Sequence, residues 1–115
     1  MIWNKYVLFT ILIFLFNNVL IWYQLNSQLV WDWAKGGKAM WLMALMGIPI
    51  SLMFWWATKI GYEGFGSLWP VRLLGFATSM ITFPIMTYFY LGEVMSLKVI
   101  LSLMLAAAIM LLQLV

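Results

Sequence analysis

The side chains able to do chemistry are few, and their types narrow the field before any fold is considered. Among 115 residues there is no cysteine and no histidine. Thiolate nucleophiles, disulfides, the usual zinc and haem ligands and the histidine proton switch are therefore excluded. The three acids, Asp32, Glu63 and Glu93, all fall in the polar connections between long apolar runs. No nucleophile–base pair, carboxylate cluster or phosphate-binding loop is visible, so the sequence predicts no enzyme, no cofactor and no metal centre.

What remains at depth is neutral. Asn17 and Asn18 follow an unbroken apolar stretch, and Gly75, Thr78, Ser79 and Thr82 interrupt a later one. An amide in hydrocarbon must bond to another helix or to a ligand. The first reading, an interhelical hydrogen bond, is the commoner, and the second is contact with a substrate or an ion. Gly75 with Ser79, Thr78 with Thr82, and Gly47 with Ser51 are four-residue steps, so each pair shares a helix face. Small residues at that spacing let membrane helices approach closely, and packing is again the commoner meaning.

Aromatic residues offer a third kind of chemistry. Trp55, Trp56, Trp69, Tyr62 and Tyr88 could together line a pocket for an organic cation, but an interfacial belt is the favoured reading, since Trp55, Trp56, Tyr62 and Trp69 cluster near one membrane face. Arg72 is the single arginine, one turn into a helix, and could hold an anionic group or a lipid phosphate.

These residues need elements to position them, and composition says which. The chain is 67% hydrophobic and only 8% charged, against about 25% charged in ordinary soluble domains. Four apolar runs, Tyr6 to Tyr23, Ala39 to Ala57, Leu68 to Leu91 and Leu97 to Val115, are each near the roughly 20 residues that span hydrocarbon. Backbone groups in lipid must pair internally, and period-two alternation is missing, so helices are expected rather than a barrel. The first run lacks a small-x-small cleavage site and is read as a retained helix. The fold class predicted is all-α, an integral membrane bundle of four transmembrane helices over about 6–25, 39–58, 68–91 and 96–115, in one domain.

Punctuation supports these limits. Gly36-Gly37 breaks the first connection, whose Trp31 and Trp33 flank Asp32 at headgroup level. Gly61, Gly64 and Gly66 mark the second loop, with Ser67 as N-cap and Pro70 in the first turn that follows. Gly92 is expected to close the third helix and Ser96 to cap the fourth, giving a tight antiparallel hairpin. Pro49 and Pro84 fall inside helices and remove a backbone donor each.

With four spans, Lys5, Lys59 and Arg72 share one side and Lys35, Lys38 and Lys98 the other. Three against three gives the positive-inside rule nothing to act on. Orientation is then set by something else, or the chain inserts both ways and pairs as an antiparallel homodimer.

The stretch Leu68-Trp69-Pro70-Val71-Arg72-Leu73-Leu74-Gly75, running on to Phe89-Tyr90-Leu91-Gly92-Glu93 and Met95-Ser96-Leu97-Lys98, resembles the closing helix hairpin of the drug/metabolite transporter superfamily. Length and four-span layout are similar to its smallest members, the small multidrug resistance proteins. That resemblance implies a four-helix protomer that pairs as an antiparallel dimer and exports cationic or guanidinium compounds against protons, with a multi-pass place in a bacterial inner membrane. The family's first helix carries a glutamate for proton and substrate, whereas the nearest polar residues here are Asn17 and Asn18. Its last helix carries glycines where this one has Ala106, Ala107 and Ala108.

The expectation is a small transporter-like protein without a membrane-embedded acid, moving or binding a small organic solute, with facilitated diffusion easier to support than proton exchange. Its solute path would comprise Asn17, Asn18, Thr78, Ser79 and Thr82, with Trp55 and Tyr88 as aromatic contacts. Expected partners are the lipid bilayer, a second copy and a small organic solute, with no nucleic acid. The alternative is a non-transporting accessory subunit of a membrane complex or a small holin-like pore former.

Overall fold

The computed structural model describes residues 4–115. Four helices carry nearly all of them: α1 Lys5–Asn26, α2 Gly37–Phe65, α3 Leu68–Leu91 and α4 Leu97–Leu114. Each is long and apolar enough to cross a membrane. Two short 3-10 turns, Ser27–Leu29 and Asp32–Ala34, connect α1 to α2.

Local chemistry explains most of the boundaries. Asn4 caps α1, its side-chain oxygen accepting from Tyr6 N and Val7 N at 2.9 and 3.0 Å, which satisfies two amides that have no partner within the helix. Gly66 and Gly92 close α2 and α3 with φ of 77° and 68°, a conformation that strains any residue with a Cβ. Ser96 caps α4 by accepting from Val99 N at 3.3 Å. Ser67 occupies the N-cap position of α3 but its side chain makes no capping bond.

One boundary departs from the sequence reading. Helix α2 runs through Gly61, Glu63 and Gly64 to Phe65, so these residues do not form a loop and Glu63 lies in the last helical turn. The glycines serve contact instead. A Cβ on Gly61 would meet both Val71 methyls at 3.0 Å and Thr10 Cγ2 at 3.1 Å, and one on Gly64 would meet Val7 N at 3.2 Å. Their missing side chains let the start of α1 lie against the end of α2, where Asn4 Nδ2 also donates to Gly64 O at 3.4 Å.

Helices α1, α2 and α3 pack mutually, and α4 packs chiefly against α3. A small apolar core of Phe14, Ala57, Val71 and Leu74 ties the first three together. The assembly measures 45 × 35 × 18 Å, and a thickness of 18 Å is about two helix diameters. Helix α4 buries only Ala106 and Leu114.

Candidate functional site

Helix α1 sits between two partners, and its polar side chains reach both. Toward α2, Asn17 Nδ2 donates to Ile50 O at 3.2 Å and Gln24 Nε2 to Met43 O at 2.9 Å. Toward α3, Asn18 Nδ2 donates to Thr78 Oγ1 at 3.0 Å and Trp22 Nε1 to Thr87 Oγ1 at 3.1 Å. Further along, the Tyr23 and Tyr90 hydroxyls bond to each other. The Thr78 hydroxyl itself donates to Gly75 O at 2.9 Å, and Thr82 donates to Thr78 O at 2.8 Å. The ladder is consistent with apolar helices located against one another by a few polar contacts. One group stays outside it: Asn17 Oδ1 is buried without a partner among the described residues.

Beside the ladder lies a groove of about 630 Å³, within the usual range for sites that hold small molecules. Phe14, Asn18 and Ile21 of α1 form its floor, Phe54 and Thr58 of α2 one wall, and a strip of α3 from Leu68 to Ser79 the other. On that strip Arg72, Gly75 or Phe76, and Ser79 recur at the spacing of a single helix face. Gly75 matters here because a Cβ would meet the Phe14 ring at 3.3 Å, so the glycine admits that ring to the floor. The Phe14 and Phe54 rings are 6.2 Å apart and tilted. The Arg72 guanidinium lies 5.7 Å from the centre of the Phe76 ring. Leu68, Phe54 and Phe76, which line the groove, are exposed.

The structure gathers some of the sequence-derived path residues and separates others. Asn18 and Ser79 line the groove. Thr78 and Thr82 are buried behind it, on the side of α3 that faces α1, and Asn17 is buried toward α2. Trp55 lies on another face of α2, lining a shallow depression with Gly47 and Ser51 and covered by Lys59 Nζ at 5.2 Å from its ring. Tyr88 is half exposed and packs edge-on against Phe89. No family model, curated protein or solved structure matches the chain. The groove's geometry therefore stands on its own.

Sequence reasoning placed Arg72 at a helix start but did not bring it to this groove, and it missed Phe14, Phe54, Thr58 and Phe76 altogether. It also missed an aromatic cluster at the C-terminal end of α1. There Trp22 stacks on Tyr90 at 5.1 Å, Trp31 stacks on Tyr23 and on Trp33, both at 6.2 Å, and Trp31 meets Tyr90 at 5.7 Å. The cluster ties the α1–α2 connection to the end of α3. The signal available was the density of aromatics at the ends of two runs, without any indication that those ends meet.

Proposed function

We propose that the chain crosses a lipid bilayer four times and works there as a small transporter-like protein of the drug/metabolite transporter kind. The carrying observation is the groove, which α1, α2 and α3 build at a size suited to a small organic solute. The bilayer reading is supported by large apolar side chains exposed around the bundle, including Trp41, Leu45 and Ile48 on α2 and Met104, Leu105 and Leu112 on α4. A water-soluble monomer rarely exposes patches of that extent.

The mode is facilitated diffusion. Asp32 and Glu93 lie in connections and Glu63 in the last turn of α2, so no carboxylate lies mid-helix to carry a coupled proton. The apolar face of α4 and the evenly divided basic residues support a homodimer, antiparallel if both orientations insert, in a bacterial inner membrane. A second reading, an accessory subunit that carries nothing, draws on Asn18, Trp22 and Gln24 all being satisfied by neighbouring helices.

Uptake into liposomes containing the purified chain separates the two readings. Small organic cations, anions and neutral solutes are each compared with protein-free liposomes, and Ser79→Trp is the blocked control. The transporter reading expects one class to enter faster, with the gain removed by the tryptophan. Equal rates for every class with and without protein would leave the subunit reading.

A further inference from the structure

We propose that the groove selects amphipathic anions, with a phosphate or carboxylate head on Arg72 and an apolar body lying down the groove toward Ser79. This rests on the reading that the groove is the solute site, and adds the charge of what it takes. Arg72 is the one charged side chain that lines the groove. No carboxylate pairs with it among the described residues, the one ion pair there being Lys35 with Asp32 at 3.2 Å. A guanidinium has five donors in a fixed fork suited to carboxylate and phosphate oxygens.

The surrounding groups favour the anion over a cation. Three phenylalanines line the groove, and aromatic faces attract cations, but Arg72 already covers the Phe76 face at 5.7 Å. A second cation there would meet like charge at short range. The neutral polar groups are largely committed elsewhere: Thr58 donates to Phe54 O at 2.8 Å, and Asn18 to Thr78 at 3.0 Å. From Arg72 to Ser79 the face runs about 10 Å at 1.5 Å per residue, between Phe54, Phe76 and Ile21. An acyl or aryl body of that length fits beneath a head held at Arg72.

The same chemistry could be supplied by a lipid headgroup or by a free organic anion. Ser79→Cys, in a chain that has no other cysteine, gives a thiol in the groove whose alkylation by a maleimide reports occupancy. In phosphatidylcholine nanodiscs, dodecyl phosphate is expected to slow alkylation while tetraphenylphosphonium does not. Arg72→Gln is expected to weaken the dodecyl phosphate effect about tenfold or more, as loss of a charge-assisted contact does, and Arg72→Lys to keep part of it. Phosphatidylglycerol nanodiscs then identify the source. Slow alkylation without added ligand assigns the head to a lipid, and unchanged alkylation assigns it to a free anion.

If both probes slow the reaction equally, or Arg72→Gln leaves the dodecyl phosphate effect whole, the charge selection is overturned and the groove survives as a site. If neither probe slows it, the groove reading falls as well. Should Arg72→Gln fail to fold, the comparison of the two oppositely charged probes on unaltered Arg72 still decides.

Discussion

At the scale of single residues, two adjacent asparagines hold different positions. Asn18 bonds to Thr78 and lines the groove, whereas Asn17 bonds to Ile50 O and leaves its own oxygen unpaired. Asn18→Leu therefore loses an interhelical bond, worth about 0.6 kcal/mol on average in membrane helices and up to roughly 1.7. Asn17→Leu loses a bond too, but also removes a buried oxygen whose desolvation nothing offsets. Unfolding in mixed micelles should rank Asn18→Leu as the more destabilised of the two. Equal or reversed losses would show that the ladder between α1 and α3 contributes little. Both asparagines could be picked out from the sequence because an amide in an apolar run has to find a partner. Trp55 could not be placed, since type alone does not say which face of a helix a tryptophan occupies. Arg72 was visible as an isolated charge, but its place in the groove depends on how α3 meets α1 and α2.

At the scale of elements, glycine was the residue most open to misreading. Gly61, Gly64 and Gly66 look alike as loop markers, yet only Gly66 adopts a left-handed conformation and ends a helix. The other two lie where helices touch. Gly64→Ala would bring a Cβ to 3.2 Å from Val7 N and 3.1 Å from Tyr6 Cβ, and a backbone atom cannot move aside as a side-chain tip can. Overpacking of this kind costs about 1–3 kcal/mol, partly offset by roughly 1 kcal/mol of helix propensity. Gly37→Ala is the matched control, because nothing lies within 4 Å of its added Cβ. Thermal melting in detergent should fall for Gly64→Ala and hold or rise for Gly37→Ala. Identical behaviour would contradict the close approach of α1 and α2. The hairpin of α3 and α4 was legible because Gly92 and Ser96 carry strong local signals. The faces of α2 and α4 were not, because a helix that is apolar all round has no stripe to show which side is covered.

At the scale of the whole molecule, a slab 18 Å thick has apolar side chains on its outer faces and charges toward its ends. Helix α2, with 29 residues, is about 43 Å long at 1.5 Å per residue. That exceeds the roughly 30 Å of hydrocarbon in a bilayer, so tilt or a projecting end is expected. Everything proposed about the groove depends on the four helices crossing the membrane, and this is directly measurable. Ser67 and Gln28 are exposed in connections at opposite ends of the helices, whereas Ser27 is buried beside Met43 and unsuited to labelling. Single cysteines at Gln28 and Ser67 would be tested with a membrane-impermeant maleimide in sealed cells and again after permeabilisation. With four crossings, permeabilisation exposes both sites fully. Before it, either one site labels and the other does not, or each labels in about half the molecules, as both orientations would require. Full labelling of both sites in sealed cells would place the two connections on the same side and contradict four crossings.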